Sequence, residues 1–379
     1  YQVNIDSAGS EEKEAVINAV SKEVAMALKS KLLDNERFEV VDNSVEVERE
    51  IEDKPFLKFD LISLLKVGIT SNYAKSIGLL LTFFFTIYEN LNHAGADELI
   101  DGSKVEDFIA NYTAVYSVLV AILLLFTVIF IINIVRTLVK YYGFKIAKQK
   151  GSLIMSYGLI ARQSTILKPE KVQIVKITRN FFQKKLKILE ISIKQTISDE
   201  TKKDKAIIEI PGCNEIKRDE ILQLIFNEIP KKGEKLKPNF RKLLFSIFLL
   251  IVLPLTAYLT IGNWFVNSIF EYKSIAVFYT VFIFIGLLFG FKNNSLHIND
   301  KHVIMQSGAW DVDNEVIKIE KIQAITTSQL FWHKSLNIGS LTIHTAGGNV
   351  NFQLGNFEKI NQYVNLWLYQ IEKNESNWN

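Results

Sequence analysis

Ile166-Leu167-Lys168-Pro169-Glu170-Lys171-Val172-Gln173 and Val316-Ile317-Lys318-Ile319-Glu320-Lys321-Ile322-Gln323 are two versions of one stretch, and their positions differ by 150. At the same offset, Phe181-Phe182-Gln183-Lys184-Lys185-Leu186 aligns without a gap with Phe331-Trp332-His333-Lys334-Ser335-Leu336. A register kept over this length indicates a duplicated structural unit. The last β-rich unit, Ile298 to Lys373, is therefore a second copy of one repeat.

The chain also opens on a fragment of this repeat. Ile5-Asp6-Ser7-Ala8-Gly9 is similar to Ile343-His344-Thr345-Ala346-Gly347, and the apolar residues of Glu11 to Leu33 then recur at helical spacing. We expect an amphipathic helix over Glu11 to Leu33. We also expect the chain to be the C-terminal part of a longer protein, because it begins inside a copy of the repeat.

Four apolar blocks indicate membrane spans. They are Ser76 to Tyr88, Thr113 to Val135, Leu243 to Ile261 and Ser274 to Phe291. The last three contain no Asp, Glu, Lys or Arg and approach or exceed the ~20 residues that cross a bilayer. The first is short. We still expect it to span the membrane. If the units before the first block and after the second lie on the same side of the membrane, the chain must cross twice between them.

Basic residues border the second and third blocks and predict the orientation. Lys and Arg follow the second block at 136, 140, 145, 148 and 150, and precede the third at 231, 232, 235, 237, 241 and 242. The loop between the first two blocks has a single Lys, Lys104, among several acidic residues. The positive-inside rule therefore places both complete copies in the cytoplasm.

Each complete copy contains short β-branched runs and ends in an amphipathic helix, predicted over Lys217 to Glu228 and over Asn356 to Glu372. In the first copy, the strands are predicted over Leu153 to Gly158, Leu159 to Leu167, Val172 to Arg179, Ile188 to Lys194 and Ala206 to Ile210. Phe56 to Val67 has the pattern of a helix at the membrane surface or of a short connecting helix packed on protein. Ala346-Gly347-Gly348-Asn349 predicts a tight hairpin turn that needs positive φ. At the corresponding place in the first copy, Lys202 to Lys205 predicts a longer, mobile hairpin.

With its seven short strands, its closing helix and a preceding transmembrane hairpin, the repeat resembles the membrane-associated bacterial pleckstrin-homology (PH) domain family. The residues that carry the resemblance are the two aligned stretches above and Leu336 to Gly348. The resemblance implies an α+β membrane protein in which repeated PH-like split β-barrels, each closed by a C-terminal helix, alternate with transmembrane α-helical hairpins. It also implies a protein that is not an enzyme.

The expected domain order follows from these observations. It is a remnant of a first PH-like domain at 1–33, a linker with an interfacial helix at 34–72, transmembrane hairpin 1 at 73–135, a PH-like domain at 143–230, transmembrane hairpin 2 at 243–291, and a second complete PH-like domain at 295–373.

The chain shows no arrangement of catalytic, cofactor-binding or metal-binding residues. The five histidines, at 93, 297, 302, 333 and 344, lack metal-ligand spacing, and one cysteine, Cys213, cannot form a thiolate cage. Gly-rich phosphate loops and nucleophile elbows are absent as sequence motifs. We therefore expect no catalytic site, no cofactor and no metal.

Basic residues near the membrane are the candidate contacts with lipid or a protein partner. They are Arg136, Lys140, Lys168, Lys171, Arg179, Lys184, Lys185, Lys231, Lys232, Arg241 and Lys242. For those after the second span, the favoured interpretation is that they only set the topology. Gly286 and Gly290 form a G-x-x-x-G spacing that would let the fourth span pack closely on another helix.

The expected function is a scaffold of the bacterial inner membrane that presents cytoplasmic PH-like domains to a protein or to anionic lipid. Envelope homeostasis or defence is the expected setting. The expected partners are the membrane lipid bilayer and a protein of unknown identity, with a homo-oligomer as a further candidate and no nucleic acid. The alternative is a subunit of a membrane transport or export system.

Overall fold

The structure is a computed structural model. It describes residues 3–5, 15–17, 56–71, 112–149, 152–160, 162–195, 207–264 and 273–373, together with single or few positions between 21 and 86. The chain forms two compact units. One consists mainly of Ile166–Asn379, and the other of Pro55–Ala147 with Met155–Thr165.

The start of the chain differs from the prediction. Strands β1 (Val3–Ile5) and β2 (Ala15–Ile17) form an antiparallel hairpin, with Val3 opposite Ile17. The prediction of a helix from Glu11 onward is therefore wrong in its N-terminal part. The β-branched residues Val16 and Ile17 favour a strand there. Helical backbone is described only later, at Glu23–Ala25 and at Leu28.

The smaller unit contains β3 (Leu57–Lys58), α1 (Leu61–Thr70), the long helix α2 (Tyr112–Tyr141) and most of a sheet in the order β3-β4-β5-β6. The last three strands are β4 (Lys145–Gln149), β5 (Ser152–Tyr157) and β6 (Gln163–Leu167). Helix α1 crosses α2 at Gly68, where an added Cβ would lie 2.9 Å from the Cα of Ile134. A glycine is thus required at this crossing.

The helix predicted over Phe56 to Val67 is replaced in its first part by strand β3, which pairs with β4. Leu57 and Phe59 are buried and the residues on either side of them are exposed, so the backbone alternates as in a strand. The helix begins only at Leu61. Strand β6 likewise begins at Gln163, later than the predicted Leu159, because Gly158 adopts φ +113 and turns the chain.

The larger unit holds the rest of the chain's described elements. They are β7 (Val172–Arg179), α3 (Phe181–Lys185), β8 (Leu189–Gln195), β9 (Ile207–Cys213), α4 (Glu215–Phe226), β10 (Glu234–Leu236), α5 (Arg241–Trp264), α6 (Lys273–Asn293), β11 (Ser295–Ile298), β12 (His302–Ser307), β13 (Val312–Lys318), β14 (Ala324–Ser328), β15 (Ile338–Thr345), β16 (Gly348–Asn356) and α7 (Phe357–Lys373). Residues 202–205, expected to form a longer hairpin, lie outside the described part.

Two copies of the repeat share one sheet in this unit. Its seven strands follow the order β10-β11-β12-β13-β7-β8-β9, so β13 of the second copy pairs with β7 of the first. The pairing is antiparallel, with Glu315 opposite Lys176 and Val316 opposite Val175. Strands β14, β15 and β16 form a separate three-stranded sheet.

The core of the second copy lies between these two sheets and α7. Fully buried members include Val303 from the seven-stranded sheet, Phe352 from the smaller sheet and Trp367 from α7. Ile174, which belongs to the first copy, packs into the same core. The tight turn predicted over Ala346-Gly347-Gly348-Asn349 is confirmed, since Thr345 lies opposite Gly348 and Gly348 has the required positive φ, +118.

Three helices are long and apolar enough to cross a membrane: Leu123–Tyr141 within α2, Arg241–Trp264 (α5) and Lys273–Asn293 (α6). Helix α5 contains a π-helical turn, Phe248–Val252, just before Pro254. Pro254 has no backbone N–H, so it cannot donate a hydrogen bond to the carbonyl of Leu250, four residues earlier. The hydroxyl of Tyr279 in α6 donates to this carbonyl at 2.8 Å. The first predicted span, Ser76 to Tyr88, lies almost entirely outside the described residues.

Candidate membrane-facing surface

In the second copy, the hairpin between β12 and β13 reaches the end of membrane helix α6. The side-chain amide of Asn293 donates to the carbonyl of Gly308 at 3.0 Å. A Cβ on Gly290 would be 3.7 Å from the Cβ of Ala309. These contacts hold Trp310, whose side chain is 56% exposed, beside the last turn of α6.

The first copy repeats this arrangement at the end of α2. The N–H of Gly158 donates to the carbonyl of Tyr142 at 2.9 Å, and the N–H of Leu159 donates to that of Val139 at 3.1 Å. At the tip, Ile160 is 85% exposed. Both copies therefore place an exposed apolar residue at the end of a membrane helix.

An aromatic and basic turn lies next to the tip of the second copy. Helix α3 is fixed by a capping box, in which Asn180 and Gln183 exchange side-chain to backbone hydrogen bonds. Consequently Phe181 and Phe182 project outward and are exposed. The Phe182 ring packs edge to face on Trp310, with 5.7 Å between ring centroids.

Two lysines complete this turn. Lys184 and Lys185 are exposed, and the Nζ of Lys185 lies 5.3 Å from the centre of the Phe181 ring. Trp and Tyr are enriched at membrane–water interfaces, where an amphipathic ring bridges lipid tails and headgroups. We call Phe181, Phe182, Lys184, Lys185 and Trp310 the interfacial patch.

The sequence model of the bacterial PH domain family matches the chain twice, at residues 101–228 and 242–369. Together the two matches cover more than half of the chain. The chain belongs to the bacterial PH domain family. Each match includes membrane helix as well as sheet, namely α2 in the first and both α5 and α6 in the second.

The chain is also similar to the UPF0699 transmembrane protein YdbT of Bacillus subtilis (strain 168). The two are 25% identical over 276 residues, which cover 66% of this chain and 54% of that protein. This chain therefore spans about half the length of that relative. The bacterial PH domains here are thus part of a transmembrane protein.

The other predicted basic contacts occupy different environments around the bacterial PH domains. Arg136 and Lys140 are exposed on the last turns of α2, and the Nζ of Lys140 lies 4.7 Å from the centre of the Tyr141 ring. Lys168 caps the start of the 3-10 turn Pro169–Lys171 that precedes β7, and Lys171 is its last residue. None of these four belongs to the interfacial patch.

Arg179 forms an ion pair with Glu215 within the first bacterial PH domain. Its Nη1 donates to Glu215 Oε1 at 2.7 Å. This hydrogen bond and the Arg179 charge lower the pKa of the Glu215 carboxyl. The Arg179 charge is therefore compensated inside the domain.

Of the basic residues ahead of α5, Lys232 donates from its Nζ to Gln306 Oε1 at 3.0 Å. Burial and the nearby charge of Lys235 lower its pKa. Lys231 is exposed, and Arg241 and Lys242 form the first turn of α5. These two lie where a membrane helix begins.

The two glycines of α6 differ in their surroundings. Among the described residues, a Cβ on Gly286 would meet nothing within 4 Å, whereas Gly290 approaches the hairpin tip at Ala309. Packing of Gly286 on a further helix stays a prediction.

Sequence reasoning missed the hairpin tips of both bacterial PH domains. The signal was present, since Gly158 and Gly308 are separated by the repeat offset and each is followed by two apolar residues. Both glycines have positive φ, +113 and +104. The pattern alone did not show that the tips reach the membrane helices, because this depends on contacts between distant elements.

Proposed function

We propose that this chain is a non-catalytic scaffold of the bacterial inner membrane, whose bacterial PH domains face the cytoplasm and rest on its anionic leaflet. The observation that carries the proposal is the interfacial patch, which is held at the end of α6 by the contacts of Asn293 and Gly290. An exposed Trp, two exposed Phe and two Lys at this level suit the boundary between acyl chains and headgroups.

The charge distribution supports the cytoplasmic orientation. Lys and Arg border the ends of the spans that connect to the bacterial PH domains, as the positive-inside rule requires of cytoplasmic segments. The same leaflet carries the anionic lipids. Orientation and lipid preference therefore have one common basis in the sequence.

The patch acts mainly by holding the domain in place. A Lys near an anionic surface contributes about 1 kcal/mol. Lys184 and Lys185 add this to the burial of aromatic surface, and the membrane helices keep the domain close to the lipid at all times. A weak contact is thus sufficient to fix which face of the domain is left for a protein partner.

The proposal is tested by placing an environment-sensitive fluorophore on a cysteine at Trp310→Cys, in the full chain in nanodiscs. The native Cys213 is buried and its pKa is raised to about 12 by burial, so it stays silent. We expect blue-shifted emission and quenching by spin-labelled lipid. The matched control, Asp300→Cys on the turn between β11 and β12, should show neither. Equal behaviour of both sites would refute the interfacial location.

The lipid preference is tested by Lys184→Glu together with Lys185→Glu. In nanodiscs that contain anionic phospholipid, we expect the quenching at Trp310→Cys to fall, because the reversed charges are repelled. In purely zwitterionic nanodiscs the two changes should have little effect. For a matched control, the single change Lys184→Glu is compared with Lys334→Glu, its counterpart in the second copy, because Ser335 stands at the position of Lys185. A result that is independent of lipid charge would contradict the anionic preference.

A further inference from the structure

A 3-10 turn, Phe331–Leu336, follows β14 in the second copy. By the offset of 150, its Trp332 stands at the position of Phe182. Phe182 follows β7, which pairs with β13 in the junction between the two copies, and its ring packs on Trp310. The second copy therefore repeats the aromatic turn that contributes to the interfacial patch, at a different place in the molecule.

The apolar side chains of this turn are exposed. Phe331 and Trp332 are 76% and 54% exposed, and their rings contact each other edge to face with 4.4 Å between centroids. Leu330, just before the turn, and Leu336, its last residue, are exposed as well. An exposed apolar patch of this kind indicates a surface that contacts protein or lipid. We call these four residues the second aromatic turn.

Hydrogen bonds hold the second aromatic turn at both ends. The side-chain amide of Gln329 donates to the carbonyl of Ile338 at 3.1 Å, across the base of the turn. Asn337 ends the turn with φ +53, and its carbonyl accepts from the N–H of Phe357 at 2.9 Å. The Asn337 Oδ1 also accepts from the N–H of Glu358 at 3.1 Å. The exposed rings are thus carried on a base that is bonded to the start of α7.

The same end of the three-stranded sheet is bonded to the start of membrane helix α5. The N–H of Asn239, two residues before α5, donates to the carbonyl of Leu354 at 2.7 Å. In the register of β15 and β16, Ile338 lies opposite Asn356, two residues beyond Leu354. Two residues span about 7 Å of strand, and neighbouring strands lie about 4.8 Å apart. The second aromatic turn, which leads into β15, therefore lies close to the point where α5 begins.

The start of α5 and the end of α6 lie at one membrane surface. The ring of Phe240, next to the first residue of α5, packs edge to face on Phe291 in the last turn of α6, with 6.3 Å between centroids. The interfacial patch is held at the end of α6, and the second aromatic turn lies near the start of α5. Both are therefore at the level of the same leaflet.

We propose that Phe331 and Trp332 enter the boundary between lipid tails and headgroups and form a second membrane contact of the second bacterial PH domain. Lipid is the partner that this location favours, because the turn lies beside the start of a membrane helix and Trp is enriched at that boundary. The contact depends on burial of the rings rather than on lipid charge. Ser335 stands where the interfacial patch has Lys185, and the acidic Glu358 is bonded at the base of the turn.

This second contact presupposes that the bacterial PH domains rest on the membrane, as proposed above, but it does not depend on anionic lipid. A domain with one surface contact can still pivot about it, whereas two separated contacts fix its tilt. The domain then presents its opposite end, which includes the turn between β11 and β12, away from the lipid. That end is the surface left for a protein partner.

The test is quenching by spin-labelled lipid of an environment-sensitive fluorophore at Ser335→Cys, in the full chain in nanodiscs. Ser335 is exposed within the turn, and its replacement leaves both rings in place. The matched control is Gln323→Cys, an exposed position just before β14, at the opposite end of that strand. We expect blue-shifted and quenched emission at Ser335→Cys, to the same degree in zwitterionic and in anionic nanodiscs. Gln323→Cys should show neither effect.

Two further variants test the role of the rings. In the Ser335→Cys chain, Phe331→Ser together with Trp332→Ser should remove most of the quenching, whereas Trp332→Phe alone, which keeps an aromatic ring, should retain it. Both side chains are exposed, so these changes leave the core of the domain intact. As a check, the same two serine changes should leave the quenching at Trp310→Cys unaltered.

The second contact is overturned if Ser335→Cys behaves like Gln323→Cys, if its quenching survives the loss of both rings, or if the quenching requires anionic lipid. Blue-shifted emission that spin-labelled lipid does not quench would mean that a protein covers the turn, and it would equally overturn the contact. Quenching at Trp310→Cys without quenching at Ser335→Cys would leave the proposed function standing. The reverse result would refute the interfacial patch and support the second contact.

Discussion

Trp367 is the largest fully buried side chain in the described part of the chain. It is fully buried on α7, within the core that also contains Phe352 and Ile360. Replacing a buried Trp by Ala removes its contacts and leaves a cavity, at a cost of about 3–5 kcal/mol.

We therefore expect Trp367→Ala to lower the free energy of unfolding of this domain by that amount, as measured by pulse proteolysis in urea. Its neighbour Leu366 is half-exposed, and Leu366→Ala should cost less than about 1 kcal/mol. Equal losses in the two variants would mean that α7 does not pack as described.

We expect His297 to make the stability of this domain depend on pH. It is buried in β11, its Nε2 lies 3.1 Å from Ser295 Oγ, and burial together with Lys232 and Lys235 lowers its pKa to about 4. The unfolded chain has the ordinary value of about 6.5 and therefore binds the proton first as the pH falls. Stability should thus decrease from about pH 6.5 to pH 4, by up to about 3 kcal/mol.

The measurement is the free energy of unfolding at several pH values, for the native chain and for His297→Gln. The variant should lose a large part of the pH dependence in this window. A smaller slope should remain, because burial also lowers the pKa of His302. An unchanged slope in His297→Gln would show that other groups are responsible.

Among the elements, β7 and β13 form a main-chain ladder between the two copies. Lys176 Nζ lies 2.7 Å from Asp313 Oδ2, and Lys194 Nζ lies 3.1 Å from Glu315 Oε1. Glu315→Lys would put like charges directly opposite each other, with a cost of about 1 kcal/mol.

We expect Glu315→Lys to speed amide hydrogen exchange in β7 and β13 and to leave β15 unchanged. The second change Lys176→Glu should restore part of the protection, because it returns opposite charges to the two facing positions. Protection that is insensitive to both changes would mean that the ladder does not depend on these side chains.

The hydrogen bond from Tyr279 to Leu250 joins the two helices of the second membrane hairpin. Tyr279→Phe would leave the Leu250 carbonyl without this donor in lipid, and interhelical bonds of this kind are worth about 1 kcal/mol. We expect α5 and α6 to separate at a lower denaturant concentration in detergent. The exposed neighbour Phe278, changed to Leu, should have little effect, and equal effects would exclude a specific role for the hydroxyl.

The sequence predicted individual elements well where periodicity is strong. Strand β7 was predicted with its exact bounds, and α6 was predicted to within two residues at each end. The short strand β3 was missed, because Leu57 and Lys58 give too little alternation to distinguish a strand from the helix that follows. The pairing of β13 with β7 could not be predicted, because the alternation of residues along a strand does not specify which strand lies beside it.

At the scale of the whole molecule, the orientation in the membrane is the main prediction. A cysteine at Asp97→Cys, in the loop between the first two spans, should react with an impermeant maleimide in intact cells. Asp300→Cys should react only after the inner membrane is permeabilised. The reverse pattern would contradict the cytoplasmic orientation and the proposed contact with the anionic leaflet.

The repeat, the last three predicted spans and the family could be predicted at this scale because they depend on composition and on the offset of 150. The interfacial patch could be predicted only in part. Lys184 and Lys185 were predicted from charge, but Trp310 lies 125 positions beyond Lys185 in the chain and reaches Phe182 through the junction. Long-range contacts of this kind are not visible in local patterns.

The shared sheet also has an evolutionary consequence. A junction made of backbone hydrogen bonds depends little on which side chains the strands carry, so duplicated copies can diverge and still join. Lys176 and Glu315 oppose each other at the existing junction, whereas Thr326 and Thr165, which stand at the corresponding positions of the other copies, carry no charge. Gene duplication could therefore lengthen such a protein one domain at a time, without requiring a new interface at each step.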